Sequence, residues 1–155
     1  MAYIDVLPLA TAKNYLRLDD SLTDDDMAIT RMIKSALSYI ERYTNVFVYA
    51  RNKTYILDDD NFVRVYDFPI NSVVTVDYER KDRYNYSNFI LTGEDTSLVL
   101  NVGYADPTDV PSELIDIALQ YVKYLYYEAE TNTNNNGVVP QWLNDMLFSY
   151  KRFII

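Results

Sequence analysis

The strongest constraint on the fold is an apolar stripe with helical spacing in the first third of the chain. Its side chains recur every three or four residues, at Ile29, Met32, Ile33, Ala36, Leu37, Ile40 and Tyr43. At 100° per residue they occupy one continuous arc of roughly 160°, which predicts a helix with one buried face. Thr23, with Asp26 three residues later, is typical of a capped helix start, and the helix is predicted to end near Tyr43.

Three more helices are predicted. Residues 9–18 are rich in good helix formers. The next helix begins near Pro111, a favoured first-turn residue, and runs to about Glu130. Its apolar arc of roughly 220° allows two interpretations. It is either the central core helix of a monomer, or it packs within the subunit on one side and against a neighbour on another. The last helix opens at Pro140 and is predicted to run nearly to the end of the sequence.

The middle third of the chain changes to short runs of β-branched and aromatic residues. Strands are predicted at 46–50, 54–57, 62–66, 73–78, 89–92 and 97–104. Residues 58–61 are predicted to form a solvated hairpin turn and 80–88 a loop, and the last two strands are predicted to pair around Gly93. The sequence thus predicts an α+β fold that is mainly helical. It has about four helices, with a small antiparallel β region inserted between the second and third.

The length of 155 residues fits one domain. Residues 131–137, which are Thr and Asn followed by Gly, are too polar to bury and predict a flexible loop. Residues 131–155 are therefore expected to form this loop plus a C-terminal helix and tail. We expect no signal peptide and no membrane-spanning segment, because no stretch approaches 18 uninterrupted apolar residues.

The residue types exclude several kinds of chemistry. The sequence has no cysteine and no histidine, which excludes thiolate and imidazole metal sites and nucleophiles activated by histidine. The adjacent acids Asp58, Asp59 and Asp60 lack the alternation and the central glycine of a calcium-binding EF-hand loop. We expect a non-enzymatic protein with no catalytic residue, cofactor or metal. A small carboxylate-dependent metal-binding or enzymatic module stays open as the alternative.

The net charge of −9 indicates that the chain repels DNA. This argues against a DNA-binding protein, but not against a wall that DNA slides past. The 16 tyrosines reflect either an A·T-rich genome or protein contacts, where tyrosine is favoured. Tyr121, Tyr124, Tyr126 and Tyr127 could stack on bases, although the acidic surroundings favour packing or subunit contact.

Four stretches carry a family resemblance. They are LATAKNYLRL at 9–18 with the acids at 24–26 and YIERYT at 39–44, FPINSVVTVDY at 68–78, VGY at 102–104 with VPSELIDIA at 110–118 and YLY at 124–126, and LFSYKR at 147–152. In this order they resemble the head–tail connector proteins of tailed bacteriophages, also called head-completion or neck adaptor proteins. The asparagine-rich loop and the polar segment 79–88 depart from the family pattern.

The resemblance implies a structural virion protein, made in the cytoplasm of the bacterial host and located in the neck. Such proteins form a homo-oligomeric ring, matching the twelvefold portal, that docks under the portal and extends the DNA channel. The ring also offers a platform to a further neck or tail protein. Genomic DNA would pass through without specific binding, and no membrane would be involved.

Two sets of contact residues are predicted. The wide apolar arc of the third predicted helix suggests a subunit interface at Ile115, Leu119, Tyr124 and Tyr126. The resemblance implies that the C-terminal segment reaches toward the portal, which predicts portal contacts at Trp142, Leu147, Tyr150, Phe153, Ile154 and Ile155.

Overall fold

The computed structural model describes residues 2–75, 77–93, 95–131 and 139–152. Within these ranges the chain forms five α-helices and six β-strands. They are α1 (Tyr3–Val6), α2 (Leu9–Leu16), α3 (Asp26–Thr44), β1 (Arg51–Ile56), β2 (Phe62–Val65), β3 (Ile70–Val73), β4 (Tyr78–Asp82), β5 (Ser87–Leu91), β6 (Ser97–Val102), α4 (Ser112–Thr131) and α5 (Gln141–Leu147). Short 3₁₀ turns cover Pro107–Asp109 and Phe148–Tyr150.

The five helices form the helical half of the molecule around one apolar core. The predicted stripe of α3 is confirmed, because Ile29, Ile33, Leu37 and Ile40 are fully buried there. Helix α4 packs against α2, α3 and α5, so most of its wide apolar arc is covered within the subunit. It runs antiparallel to α3, since Tyr126 near its end donates a hydrogen bond to the carboxylate of Asp25 (2.8 Å).

The start of α3 differs from the prediction. The helix begins at Asp26 with Asp25 as its N-cap residue, and no side chain caps it, so Thr23 does not act as predicted. Instead the Asp26 carboxylate pairs with Nζ of the buried Lys13 at 2.9 Å. The same ammonium donates to the carbonyl oxygens of Asp20 (3.1 Å) and Leu22 (2.6 Å). Lys13 of α2 therefore binds the loop before α3 and the first residue of that helix, where the sequence predicted a capping box.

The six strands form the β half, which consists of two three-stranded sheets. The strand orders are β1-β6-β3 and β2-β5-β4, and all neighbouring strands in them are antiparallel. Buried side chains of both sheets meet in a second apolar cluster, made of Val65, Phe89, Leu91, Leu98, Leu100 and Val102. The sheets thus share one core between them.

The predicted fold class is wrong in helix number, in the placement of the strands and in the size of the β region. The strands lie between the third and fourth helices, because α1 was not predicted. Its four residues are too few to show a helical period. The β region is also larger than predicted, with six strands in two sheets.

Strand pairing was also predicted wrongly. The last two strands, β5 and β6, do not pair with each other but occupy the centres of different sheets. The predicted loop 80–88 contains most of a hairpin between β4 and β5. Strand β4 is exposed along its whole length, so its sequence carries no alternating pattern. Residues 58–61 connect the two sheets and are not a hairpin turn, because β1 and β2 pair with other strands.

A buried carboxylate joins the two halves. Glu41 of α3 accepts hydrogen bonds from the Tyr3 hydroxyl (2.6 Å), the Val48 N–H (2.9 Å) and Nη2 of Arg51 (2.6 Å). Burial by itself would lower the pKa of the Arg51 guanidinium, but its hydrogen bonds with Glu41 and Tyr3 outweigh burial and raise it. The Glu41 side chain therefore connects α1 and α3 to the start of β1 by hydrogen bonds.

The end of the described chain returns to this junction. Helix α5 stops at Leu147 and does not run nearly to the end of the sequence as predicted. The Arg152 N–H donates to the carbonyl oxygen of Thr44 (3.0 Å), one of the carbonyls that the end of α3 leaves without a helical partner. The predicted loop at 131–137 falls, after residue 131, outside the described residues. No described helix has the length and apolar character needed to cross a membrane.

Candidate interaction surfaces

A row of aromatic side chains connects three helices of the helical half. Tyr43 and Tyr39 of α3 stack at 6.1 Å between ring centroids, and Tyr39 meets Tyr121 of α4 at 5.8 Å. Tyr121 stacks on Tyr124 (6.2 Å), which meets Trp142 of α5 edge to face at 6.3 Å. Burial raises the pKa of Tyr39 and Tyr121. These phenols therefore stay neutral and act as packing groups.

The outer end of this row opens into a groove on α4. The groove has a volume of about 490 Å³ and is lined by Tyr15, Gln120, Lys123, Tyr124, Tyr127, Glu128 and Trp142. We call it the α4 groove. The Lys123 ammonium lies 6.0 Å from the centre of the Tyr15 ring. Aromatic walls with a few polar groups at the rim are typical of surfaces that bind protein.

The structure divides the predicted subunit-interface residues into two groups. Leu119 is only 7% exposed and belongs to the core of the helical half, so its side chain is used within the subunit. Ile115 and Tyr124 are half-buried and pack partly on that core. Tyr126 is half-buried too and binds Asp25. Tyr124 alone of the four lines the α4 groove.

The predicted portal-contact residues are also divided. Leu147 is 0% exposed and lies in the core, whereas Trp142 lines the α4 groove and touches Tyr124. The two predicted surfaces are therefore contiguous at the Tyr124–Trp142 contact. Phe153, Ile154 and Ile155 lie outside the described residues.

Tyr150 lines a second cleft, at the junction of the two halves. Its walls include Val46, Phe68, Tyr84, Tyr104, Tyr150 and Arg152. The Arg152 guanidinium donates to the carbonyl oxygens of Asn85 (3.0 Å) and Tyr84 (3.1 Å) and lies 4.7 Å from the centre of the Phe68 ring. Burial lowers the pKa of this guanidinium. The C-terminal segment is thus anchored on the β4–β5 hairpin.

The acidic turn that motivated the metal-binding alternative has a structural role. One carboxylate oxygen of Asp58 accepts from the N–H groups of Asp60 (3.1 Å) and Phe62 (2.8 Å). This is the way an aspartate stabilises a tight turn. Among the residues that the structure describes, no group of three or more acids is placed to hold a metal ion.

Sequence reasoning missed the other walls of both clefts. Tyr15 and Lys123 lie on the outward faces of α2 and α4, and nothing in the spacing of the sequence places them together. Phe68 and Tyr84 come from the β half, where strand pairing was wrongly predicted. Tyr84 is 96% exposed, and a tyrosine in a polar segment gives a weak signal of contact.

Comparison with known proteins places the chain in a class. A protein-family model described as "Phage gp6-like head-tail connector protein" matches residues 7–88, more than half of the sequence. No curated protein matches it.

Solved structures share the fold over the whole chain. A chain of the "Neck of empty GTA particle computed with C6 symmetry" is similar with a TM-score of 0.74, at 14% identity over 100% of this chain and 94% of that one. A chain of the "Neck of native GTA particle computed with C12 symmetry" gives 0.69 at 14% identity, with coverage of 100% and 94%. A chain of the "Virion of native gene transfer agent (GTA) particle" gives 0.72 at 14% identity, with coverage of 97% and 91%.

The architecture of two small sheets beside a helical layer is thus shared with chains of these GTA particles. The chain belongs to the phage gp6-like head–tail connector family. It is a head–tail connector, a structural protein of the virion neck, as the resemblance implied.

Proposed function

We propose that this connector forms a homo-oligomeric ring under the portal, joins the phage head to the tail and extends the DNA channel, without catalysing a reaction. The family match over residues 7–88 carries the proposal. The likeness to chains of necks solved with C6 and C12 symmetry supports a ring. Twelvefold symmetry would match the portal ring.

The α4 groove is the proposed side-to-side contact. A ring built by rotation about one axis needs two different contact surfaces on each subunit, because its interfaces are heterologous. The groove supplies one of them, with Tyr124 in its wall and with Ile115 and Tyr126 on the same helix. Leu119 would support this surface from the core beneath it.

The C-terminal segment is the proposed contact with the portal. Tyr150 lines the second cleft, and residues 153–155 follow the anchored Arg152 in sequence. Trp142 is in the wall of the α4 groove and would lie where the subunit contact and the portal contact adjoin. Leu147 would position this segment from the core. The side of the ring that faces the tail would bind a further neck or tail protein.

The charge balance supports a channel wall that does not hold DNA. With a net charge of −9, a ring of such subunits would repel phosphates on average. DNA could therefore pass without being retained.

The test is the mass of the chain alone and with the portal protein encoded by the same phage, measured by native mass spectrometry and light scattering. We expect a closed ring at least when the portal is present. A chain that stays monomeric with the portal would contradict the proposal.

A variant locates the contact. Tyr124→Ala should weaken assembly of the oligomeric ring, because it removes the aromatic side chain that contacts both Tyr121 and Trp142. Tyr78→Ala is the matched control, since it also truncates a partly exposed tyrosine that packs on another ring, but on the β half. Equal effects of both variants would argue against the α4 groove as the contact.

A further inference from the structure

The helical half carries a basic stripe on the outward side of α3. It consists of Arg31, Lys34 and Arg42, all exposed, with Ser35 and Ser38 between them. At 100° per residue, the three cations fall within about 80° of one another. They lie opposite the buried face of the helix, and this stripe contains no acidic residue.

An acidic stripe lies on the outward side of the α4 start. It consists of Asp109 in the preceding 3₁₀ turn and Glu113 and Asp116 in the first turns of α4, and all three are exposed. Glu113 and Asp116 are three residues apart on α4 and so are neighbours on the helix surface, where their like charges repel each other. A cationic partner would relieve that repulsion.

Among the residues that the structure describes, neither stripe is neutralised by an ion pair. The ion pairs among the described residues involve Lys13, Arg51, Lys53 and Arg80, and so none of the six stripe side chains. Because α3 and α4 pack together through their buried faces, the two stripes point to different sides of the helical half. They cannot meet inside one chain.

We propose that the basic stripe of one subunit binds the acidic stripe of the next subunit in the ring. The proposal rests on the ring proposed above and names the second surface that its heterologous contact needs. Within the subunit the two stripes lie at the same level along the helix axes, since α3 and α4 are antiparallel. The α4 start therefore lies level with the α3 end, where Arg42 is placed.

The rival partner of the basic stripe is DNA in the channel. The charge distribution favours a second copy of the chain as the partner. Each subunit carries both a basic and an acidic stripe, and its net charge of −9 opposes binding to phosphates. Complementary charge mainly fixes orientation and register, which a closed ring requires of every contact.

Charge reversal tests the proposal. Lys34→Glu with Arg42→Glu, and separately Glu113→Lys with Asp116→Lys, should each weaken assembly with the portal by about tenfold or more, because attraction becomes repulsion. The chain that carries all four substitutions should assemble again, since its stripes are complementary with the signs exchanged. Assembly is read as ring mass against subunit concentration in native mass spectrometry.

Lys81→Glu with Arg83→Glu is the matched control. It changes the net charge as much as the α3 double variant does, but in the exposed β4–β5 region, and should leave assembly unchanged. Thermal unfolding of each variant verifies that the fold is retained.

The outcomes separate the two proposals. A wild-type chain that never assembles overturns the ring. A wild-type ring whose double variants also assemble normally overturns the stripe pairing alone, and so does failure of the four-substitution chain to assemble. If the α3 variant weakens retention of double-stranded DNA but not assembly, the stripe faces the channel and the pairing is wrong.

Discussion

The helical half and the β half bury their side chains by different routes. The core of the helical half is made by stripes such as that of α3, in which each residue lies one turn from the next. The core of the β half is made by strands that are distant in sequence, such as β1 and β6. The outward faces differ as well. The helical half separates its charges into stripes, whereas the first sheet carries a neutral row of Asn52, Asn101 and Asn71 joined by hydrogen bonds.

Because the two cores are built separately, the stability of one half depends on the other only through the junction between them. Their apolar clusters are separate, and the junction between the halves includes hydrogen bonds of Glu41 and Arg152 and the contact of the Phe68 and Tyr104 rings. The predictions below ask whether that junction makes the halves one cooperative unit.

The largest expected effect comes from Phe89→Ala in the β half. Phe89 is fully buried, and removal of such a ring costs about 3–5 kcal/mol. If the halves unfold together, the urea midpoint read from the fluorescence of Trp142, the single tryptophan, should fall as far as the midpoint read from circular dichroism.

The neighbouring substitution Ile90→Ala is the control, because Ile90 is 43% exposed and should have a much smaller effect. An unchanged Trp142 midpoint in Phe89→Ala would show instead that the halves unfold independently.

A second substitution tests the junction between the two halves directly. Glu41→Gln should lower the free energy of unfolding by about 3 kcal/mol, since it leaves Arg51 without its buried anionic partner. The same change at exposed Glu79 should stay within about 0.5 kcal/mol. Urea unfolding measures both, and equal effects would mean that the Glu41 network contributes little.

A smaller effect is expected where the C-terminal segment meets the β half. Arg152→Ala should cost about 1.5 kcal/mol, because two charged hydrogen bonds to the β4–β5 turn are lost. Hydrogen exchange of the Arg83 amide, which donates within that turn, should become faster. The exposed Arg83→Ala variant is the stability control, and a turn that exchanges no faster in Arg152→Ala would show that the anchor does not order it.

The smallest effect depends on alkaline pH. Burial, and then the hydrogen bond to Asp67, raise the pKa of Tyr55. The stability that this shift contributes is complete below the unfolded-state pKa of about 10 and is lost as the pH rises through the folded-state value.

Tyr55→Phe should therefore make the decline of stability above about pH 10 less steep, as measured by urea unfolding across that range. Tyr84→Phe, at a site that is 96% exposed, is the matched control for the loss of a hydroxyl group. A Tyr55→Phe slope equal to that of the wild type would contradict the raised pKa.

The contrast between the helical half and the β half also explains which parts of the fold the sequence could predict. The α3 stripe is a local pattern, so its helix was predicted closely, except for the cap that Lys13 replaces. Strand pairing is not local. Nothing near Phe89 or Leu98 indicates that β5 and β6 join different sheets.

The contact residues follow the same rule. Trp142 and Tyr124 were found as members of helical apolar faces. Their contact with each other, and the burial of Leu119 and Leu147, depend on how the helices pack, which periodicity does not specify.

The strand order has a consequence for synthesis on the ribosome. In each sheet the central strand is the last to be made: β6 lies between β1 and β3, and β5 lies between β2 and β4. Until residues 97–102 have emerged, β1 and β3 lack the strand that each of them pairs with in the finished sheet. A nascent chain therefore exposes strand edges that can pair wrongly. Translation pauses that occur once residues 97–102 have left the ribosome would be tolerated better than pauses before they emerge.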